Sequence, residues 1–476
     1  MTSFLRIMRK IFQPVLNVAG YVLYSIYWPT GQWLHSTREE LLARYGSSVN
    51  DQVRRESEDI MPLPVSAGNE TQRVRLAFVG DLEFRDALLQ KLQGTVDRKK
   101  RNSDEAIRDA YSTVFSQIAP FLKADITFGN LETVLGRNLG TRVGTRGRRD
   151  VTLQEMPSEY DIYYEGVYGT TPFSLHNNHP ALAQSLKDNG FTIVSTANEH
   201  IRDRLSNGID ETMNMLDNAS LLNAGTFDYN SVKIMRMNVR KAISPYSIIK
   251  ANGITFAFFA YTQRQYPFFP RIGRQNPYGQ VCRFAPVHRS WRYHGSINNW
   301  IAHARRVANV DCVVVSAHWG IEHSGYITHK QRRWAKKLCN AGADIIVGHH
   351  PHVLQPVENI RTRDGRDAVV LYSLGNLVTD NEEATHNTGC IYYLDVVKHK
   401  DRLYFPLRRY LPTTTVVDEK SRMPVRILPL EDMGEHARDH LKYACLMLGD
   451  EYFTIQDGRL VDRLCGDSQQ GNNAGN

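Results

Sequence analysis

From residue 74 onward, short apolar runs recur along the chain, and each gives way to a polar cluster. The runs cover residues 74–79, 126–128, 192–194, 254–260, 312–315, 344–347 and 369–372, and they are rich in Val, Ile and Phe. Runs of this length and composition read as strands buried on both faces. Helical stretches separate several of them, at 180–189, 209–219, 299–310 and 330–341. Strand and helix in alternation predict an α/β domain on a central sheet.

The pattern also sets boundaries. Residues 1–70 read as an N-terminal extension that ends in a turn-rich linker at 61–68. Within it, Arg6, Arg9 and Lys10 precede a largely apolar stretch at 11–28, the layout of a signal anchor. Gln13, Pro14 and Asn17 interrupt that stretch, and a spanning helix needs about 20 apolar residues. Tyr21, Tyr24, Tyr27, Trp28 and Trp33 suit an anchor lying in the membrane interface as well. A helix packed on the protein's own body is the plain alternative. Two locations follow: membrane-associated, with the main domain on the extracytoplasmic side, or cytoplasmic. The main domain spans 71–395. Residues 396–476 form a C-terminal extension whose tail, from Gly466, has the composition of a disordered segment. Segments 136–150 and 263–293 break the alternation and read as long surface insertions.

Composition adds two points. The chain has 476 residues, 42% hydrophobic and 23% charged, enough to bury a large core. Its net charge of +8 favours an anionic partner. The 6 cysteines are scattered with no Cys-x-x-Cys pair, which argues against a zinc ribbon or thioredoxin-type site. Cys312, inside an apolar run, reads as a core residue.

The chemistry sits where the runs end. In α/β sheets, ligand sites form beyond the carboxyl ends of the strands. There the chain places Gly80-Asp81-Leu82-Glu83, Gly129-Asn130-Leu131-Glu132, Ala197-Asn198-Glu199-His200, His318-Trp319-Gly320-Ile321-Glu322, Gly348-His349-His350-Pro351-His352 and Ser373-Leu374-Gly375-Asn376. A single Asp or Asn after a strand is ordinarily a turn former or a helix N-cap. A lone His318 would ordinarily be structural. Repetition at successive strand ends, with three histidines in four residues, points instead to a metal site. Carboxylates with imidazoles suit zinc, manganese or iron without any thiolate. The set is rich enough for two divalent ions, which can activate a bridging water.

The ordered strings FVGDL, FGNLE, STANEH, SAHWGIEH, GADIIVGHHPHVLQPVE and LYSLGN closely resemble the CapA family of capsule-synthesis proteins. That family is linked to poly-γ-glutamate biosynthesis and lies in the calcineurin-like metallophosphoesterase superfamily. The resemblance covers 74–376, and the long histidine string is its most specific part. It implies a four-layer α-β-β-α sandwich of metallophosphoesterase type. It also implies metal-ligand roles for Asp81, Asn130, Glu132, His318, Glu322, His349, His350 and His352, and makes His200 the residue acting on the substrate or leaving group. One position departs from the family's Ala-Asn-Asn-His motif. Glu199 stands where a metal-binding asparagine is usual, and it brings a charge in place of a neutral amide. Glu83, two residues after Asp81, is a further candidate ligand.

Two functions follow. One is a metal-dependent hydrolase or transferase on an anionic substrate, with Arg146, Arg148 and Arg264 holding phosphate or carboxylate groups. The other is a membrane-associated accessory subunit that binds a polyanion within synthesis or export machinery. Nucleic acid ranks last: aromatics interleaved with arginines in 263–293 are the recipe for single-strand stacking, and no other feature supports it.

Overall fold

The computed structural model describes residues 49–57, 59–64, 71–96, 103–136, 176–203, 205–228, 244–263, 281–282, 297–417, 425–430, 432, 434, 437–449 and 451–465. An 11-stranded sheet runs in the order β19 (Arg459–Leu464), β18 (Glu451–Gln456), β16 (Arg408–Val417), β14 (Thr388–His399), β1 (Gln72–Leu82), β2 (Ile126–Leu131), β5 (Ile193–Ser195), β6 (Leu222–Ala224). Three strands pair onto this path: β13 (Asn376–Val378) on β1, β15 (Arg402–Tyr404) on β14 and β17 (Val425–Pro429) on β16. A 6-stranded sheet runs β11 (Leu354–Arg361), β12 (Asp367–Leu374), β10 (Ile345–His349), β9 (Cys312–His318), β8 (Ile254–Thr262), β7 (Tyr246–Ala251). A small parallel pair joins β3 (Val134–Leu135) to β4 (Asn177–Asn178).

The period of two along each strand sorts its side chains between two cores. Leu76 and Phe78 of β1 share one core with Phe256 and Phe258 of β8, Val314 of β9 and Val347 of β10. This is the layer between the sheets, and Phe128 stacks on Phe258 across it at 5.8 Å. The alternate residues Ala77 and Val79 face outward, under helices α1 (Asp86–Thr95), α2 (Asp104–Phe115) and α3 (Ala181–Asp188). Helix α4 (Leu205–Asn218) leans against β3 and the edge of that sheet. Val313 and Val315 of β9 face the other way, under α5 (Ile297–Arg306) and α6 (His329–Ala341). The result is the expected four-layer α-β-β-α sandwich. A capping box, Thr328 with Gln331, starts α6, and Gly342 at φ 121° ends it.

The sheet does not stop at residue 395. β14 runs to His399, and β15 to β19 continue the same sheet through Leu464. Helix α7 (Ala437–Leu448) packs on β11, and a Cys445–Cys465 disulfide joins it to the end of the last hairpin. Part of the N-terminal extension is also folded. A helix over 49–56 buries Val49 and Val53 against the second sheet's outer core, and Asn50 hydrogen-bonds Gly325 O and Ile327 N. No helix among the described residues is long and apolar enough to cross a membrane. The stretch at 11–28 and the tail from Gly466 lie outside the described residues. Of the 263–293 insertion, the described Val281 and Cys282 are fully buried, and Val281 bridges to Thr226.

Candidate metal centre

The strand ends converge as their order in the sheets requires. Parallel pairing sets Asp81 of β1 beside Asn130 of β2, and His318 of β9 beside His349 of β10. Face-to-face packing then brings the two groups of strand ends together. Close approach depends on glycine at two points. A Cβ on Gly80 would lie 2.0 Å from Gly375 O, and one on Gly348 would lie 1.8 Å from Tyr372 O.

Two donor sets result. Glu132, Glu199, His318 and His350 form one, and Asp81, Glu132 and His352 form the other; within each set the ligand atoms all lie within 4.8 Å of one another. Glu132 belongs to both. His318 Nε2 is 3.0 Å and His350 Nδ1 3.1 Å from Glu199 Oε2, and His352 Nδ1 is 3.2 Å from Asp81 Oδ2. All six side chains are buried. Glu132 Oε1 and His350 Nε2 have no hydrogen-bond partner within the protein. Buried oxygen and imidazole donors left unpaired and aimed at one another fit a divalent cation.

The electrostatics agree. Burial, then the neighbouring Asp81 carboxylate, push Glu132 well above the usual carboxylate range. Burial opposes ionisation of Asp81 and Glu199 too, yet His349 and His352 hold Asp81 well below that range, and His350 and His318 do the same for Glu199. Burial pushes His318 down to about 4. A divalent cation among these carboxylates would offset the cost of burying their charge.

The loop that carries the histidines is strained. His350 (φ 94°) and His352 (φ 58°) both adopt left-handed backbone, at a cost of order 1–3 kcal/mol each. Pro351 separates them, and Asp81 Oδ2 accepts from the His350 N–H at 3.2 Å. His323, also left-handed at φ 60°, donates its backbone N–H to Pro351 O.

Other sequence candidates lie around the donors. Asn130 donates its amide to Asp81 Oδ1 (2.8 Å) and Glu132 Oε2 (3.0 Å), while its Oδ1 accepts from Asn198. It orients two carboxylates. His349 lies behind Asp81, with Nδ1 3.1 Å from Oδ1, against Phe128. Glu322 stands at the rim, partly exposed, 3.5 Å from His323. Glu83 pairs with Arg85. His349, Glu322 and Glu83 belong to neither donor set. Arg146, Arg148 and Arg264 lie outside the described residues.

His200 has partners the motifs did not reveal. Its Nδ1–H donates to Asp203 Oδ2 at 2.8 Å, one 3-10 turn further on. Burial opposes its charge, but the Asp203 carboxylate raises it above the usual histidine range. His176 stacks on it at 3.6 Å with planes 7° apart. The His176 backbone N–H donates to the same Asp203 oxygen, and its Nδ1–H to Glu132 O at 3.1 Å. Burial, then the facing His200, keep His176 well below the usual range. Asn376, from the last cluster, accepts from His352 Nδ1 at 2.9 Å. The His200 to Asp203 spacing was visible in the sequence. The role of His176 was not, because it depends on β4 returning beside β3.

This sandwich and donor set define an α-β-β-α protein with a candidate divalent-metal centre at the carboxyl ends of its strands. The model of the bacterial capsule synthesis protein family PGA_cap matches residues 75–381, and the chain belongs to that family. It is 30% identical over 229 residues to the PGA biosynthesis protein CapA of Bacillus subtilis (strain 168), covering 47% of this chain and 52% of that one. It is likewise 30% identical over 201 residues to the capsule biosynthesis protein CapA of Bacillus anthracis, covering 41% and 42%. The chain thus spans about half the length, or less, of these relatives. Among solved structures, a novel phosphatase from Mycoplasma pneumoniae is similar at 9% identity and a TM-score of 0.34, over 72% of this chain and 94% of that one.

Proposed function

We propose that this chain is a metal-dependent hydrolase or transferase that acts on an anionic polymer of capsule or poly-γ-glutamate synthesis at the cell envelope. The observation that carries the reading is the pair of buried donor sets sharing Glu132, beside the His200–Asp203 couple. Bound divalent ions would supply Lewis acidity to a substrate oxygen. Asp81, Glu132 and His352 would hold one ion, and Glu132, Glu199, His318 and His350 the other. Asn130 keeps the carboxylates aimed inward. His200, held charged by Asp203, has the proton a leaving group needs. His176 fixes the plane of that imidazole. The relatives' names supply the polymer. The Cys445–Cys465 disulfide supports a location outside the reducing cytoplasm.

Glu199 favours a second reading, a polyanion-binding accessory subunit, because its extra charge lowers the Lewis acidity of the centre. One assay separates the two. The protein, loaded with manganese, is incubated with p-nitrophenyl phosphate, bis-p-nitrophenyl phosphate and poly-γ-glutamate, beside a His200→Asn variant. The enzyme reading predicts turnover of at least one substrate and a loss of about 10²-fold or more in the variant. No turnover of any of them, together with tight binding of the polymer, would establish the accessory role.

A further inference from the structure

Helices α5 (INNWIAHARR) and α6 (HKQRRWAKKLCNA) cover the outer face of the second sheet. α5 carries two Arg or Lys residues and α6 carries five, and neither carries an Asp or Glu. Surface helices ordinarily intersperse both signs. Taking those seven from the 58 basic residues leaves 51 against 50 acidic ones. The layer thus carries a charge of +7 beside a net +8 for the whole chain.

Some of these cations have structural partners. Arg305 pairs with Asp344, Arg332 bridges Glu358 and Glu56, and Lys336 reaches Glu56 at 3.1 Å. Lys330, Arg333 and Lys337 are exposed and have no acidic partner among the described residues. Lys337 lies over the Trp334 ring at 4.8 Å. Arg333, Lys336 and Lys337 line a cleft of about 610 Å³ with Arg363, Asn298 and Asn340. Arg363 comes from the turn between β11 and β12, held by its backbone N–H to Asn340 Oδ1 at 2.9 Å. That turn precedes β12, which runs parallel to β10. The metal donors lie at the far, carboxyl ends of these strands. The cleft therefore runs along the outer helices, and its Arg363 end lies at the opposite end of the sheet from the metal centre.

We propose that this cleft is a second binding site, for an extended polycarboxylate chain. The proposal rests on the reading of an anionic polymer as ligand and gives that polymer a place to dock apart from the metal. Arg333, Lys337 and Arg363 would pair with carboxylates along the chain, and the Asn298 amide would bond its backbone groups. Cations spread along one groove, with no large exposed apolar side chain in its lining, favour a strand-like polyanion over a membrane surface. A polymer held there leaves the metal donors uncovered, so its end remains available to them.

The test uses the full chain, fluorescently labelled poly-γ-glutamate and anisotropy at low and moderate salt. A charge-reversal variant, Arg333→Glu with Lys337→Glu and Arg363→Glu, changes only exposed side chains. The expected result is a loss of at least tenfold in polymer affinity, with metal content unchanged, and weaker native binding as salt rises. His318→Ala should lose metal and keep polymer affinity. Native-like binding by the charge-reversal variant, or binding lost with His318→Ala, overturns the proposal. So does a native chain that ignores the polymer, including one that sediments only with phosphatidylglycerol vesicles. The metal-dependent reading survives each of those outcomes, since metal content and turnover are read separately.

Discussion

At the scale of single residues, the centre is legible in sequence wherever chemistry is repeated. Three histidines in His349–His352 and acids at successive strand ends single out the site without any structure. What each residue does was less legible. His349 and Asn130 belong to ligand-like motifs, yet one backs Asp81 and the other orients two carboxylates. Their roles depend on which face of a strand end meets the neighbouring sheet, which no spacing encodes. Glu199 is where this chain departs from its family's motif, and its carboxylate touches both His318 and His350. A Glu199→Asn variant exchanges that charge for an amide. One of two ions should then leave more readily, by about tenfold or more in affinity, while the Asp81–His352 set keeps its own. Equilibrium dialysis against a graded chelator reads this directly, and equal loss of both ions would refute separate sets.

At the scale of elements, the strands buried on both faces were the visible ones, because an unbroken apolar run needs no register to be recognised. β1, β8, β9, β10 and β12 are of this kind. β7, β18 and β19 are partly exposed, and their polar residues break the apolar runs that would mark them as strands. The same blindness placed the end of the domain at 395, although β16 to β19 carry the first sheet well past it. Glycine at strand ends has a consequence that can be measured. Gly348→Ala would drive a methyl into Tyr372 O and against Trp319 Nε1, which donates to that same oxygen. Overpacking of this sort costs on the order of 3 kcal/mol. Urea unfolding should show a midpoint lowered accordingly, and a midpoint equal to the native one would mean that the strands there are not packed as described.

At the scale of the whole molecule, two sheets and two helical layers hold a buried cluster of acids that only cations or protons can neutralise. The closing hairpin is tied to α7 by Cys445–Cys465, 20 residues apart. Opening a loop of that size removes about 3 kcal/mol of stability in the chain-entropy account. Cys445→Ser should therefore lower stability under oxidising conditions, and added reductant should bring the native protein to the same level. The scattered cysteines gave no sign of this pair, because the contact depends on the β18–β19 hairpin returning its end to α7. The other four described cysteines are buried and free. The central claim, two ions sharing Glu132, is tested most directly by metal content. Native protein and a Glu132→Ala variant, shown by circular dichroism to be folded alike, are loaded with manganese, zinc or iron, desalted and measured by inductively coupled plasma mass spectrometry. The account predicts close to two ions per native chain and almost none in the variant. A native chain without metal, or a variant that retains as much as the native protein, would contradict it.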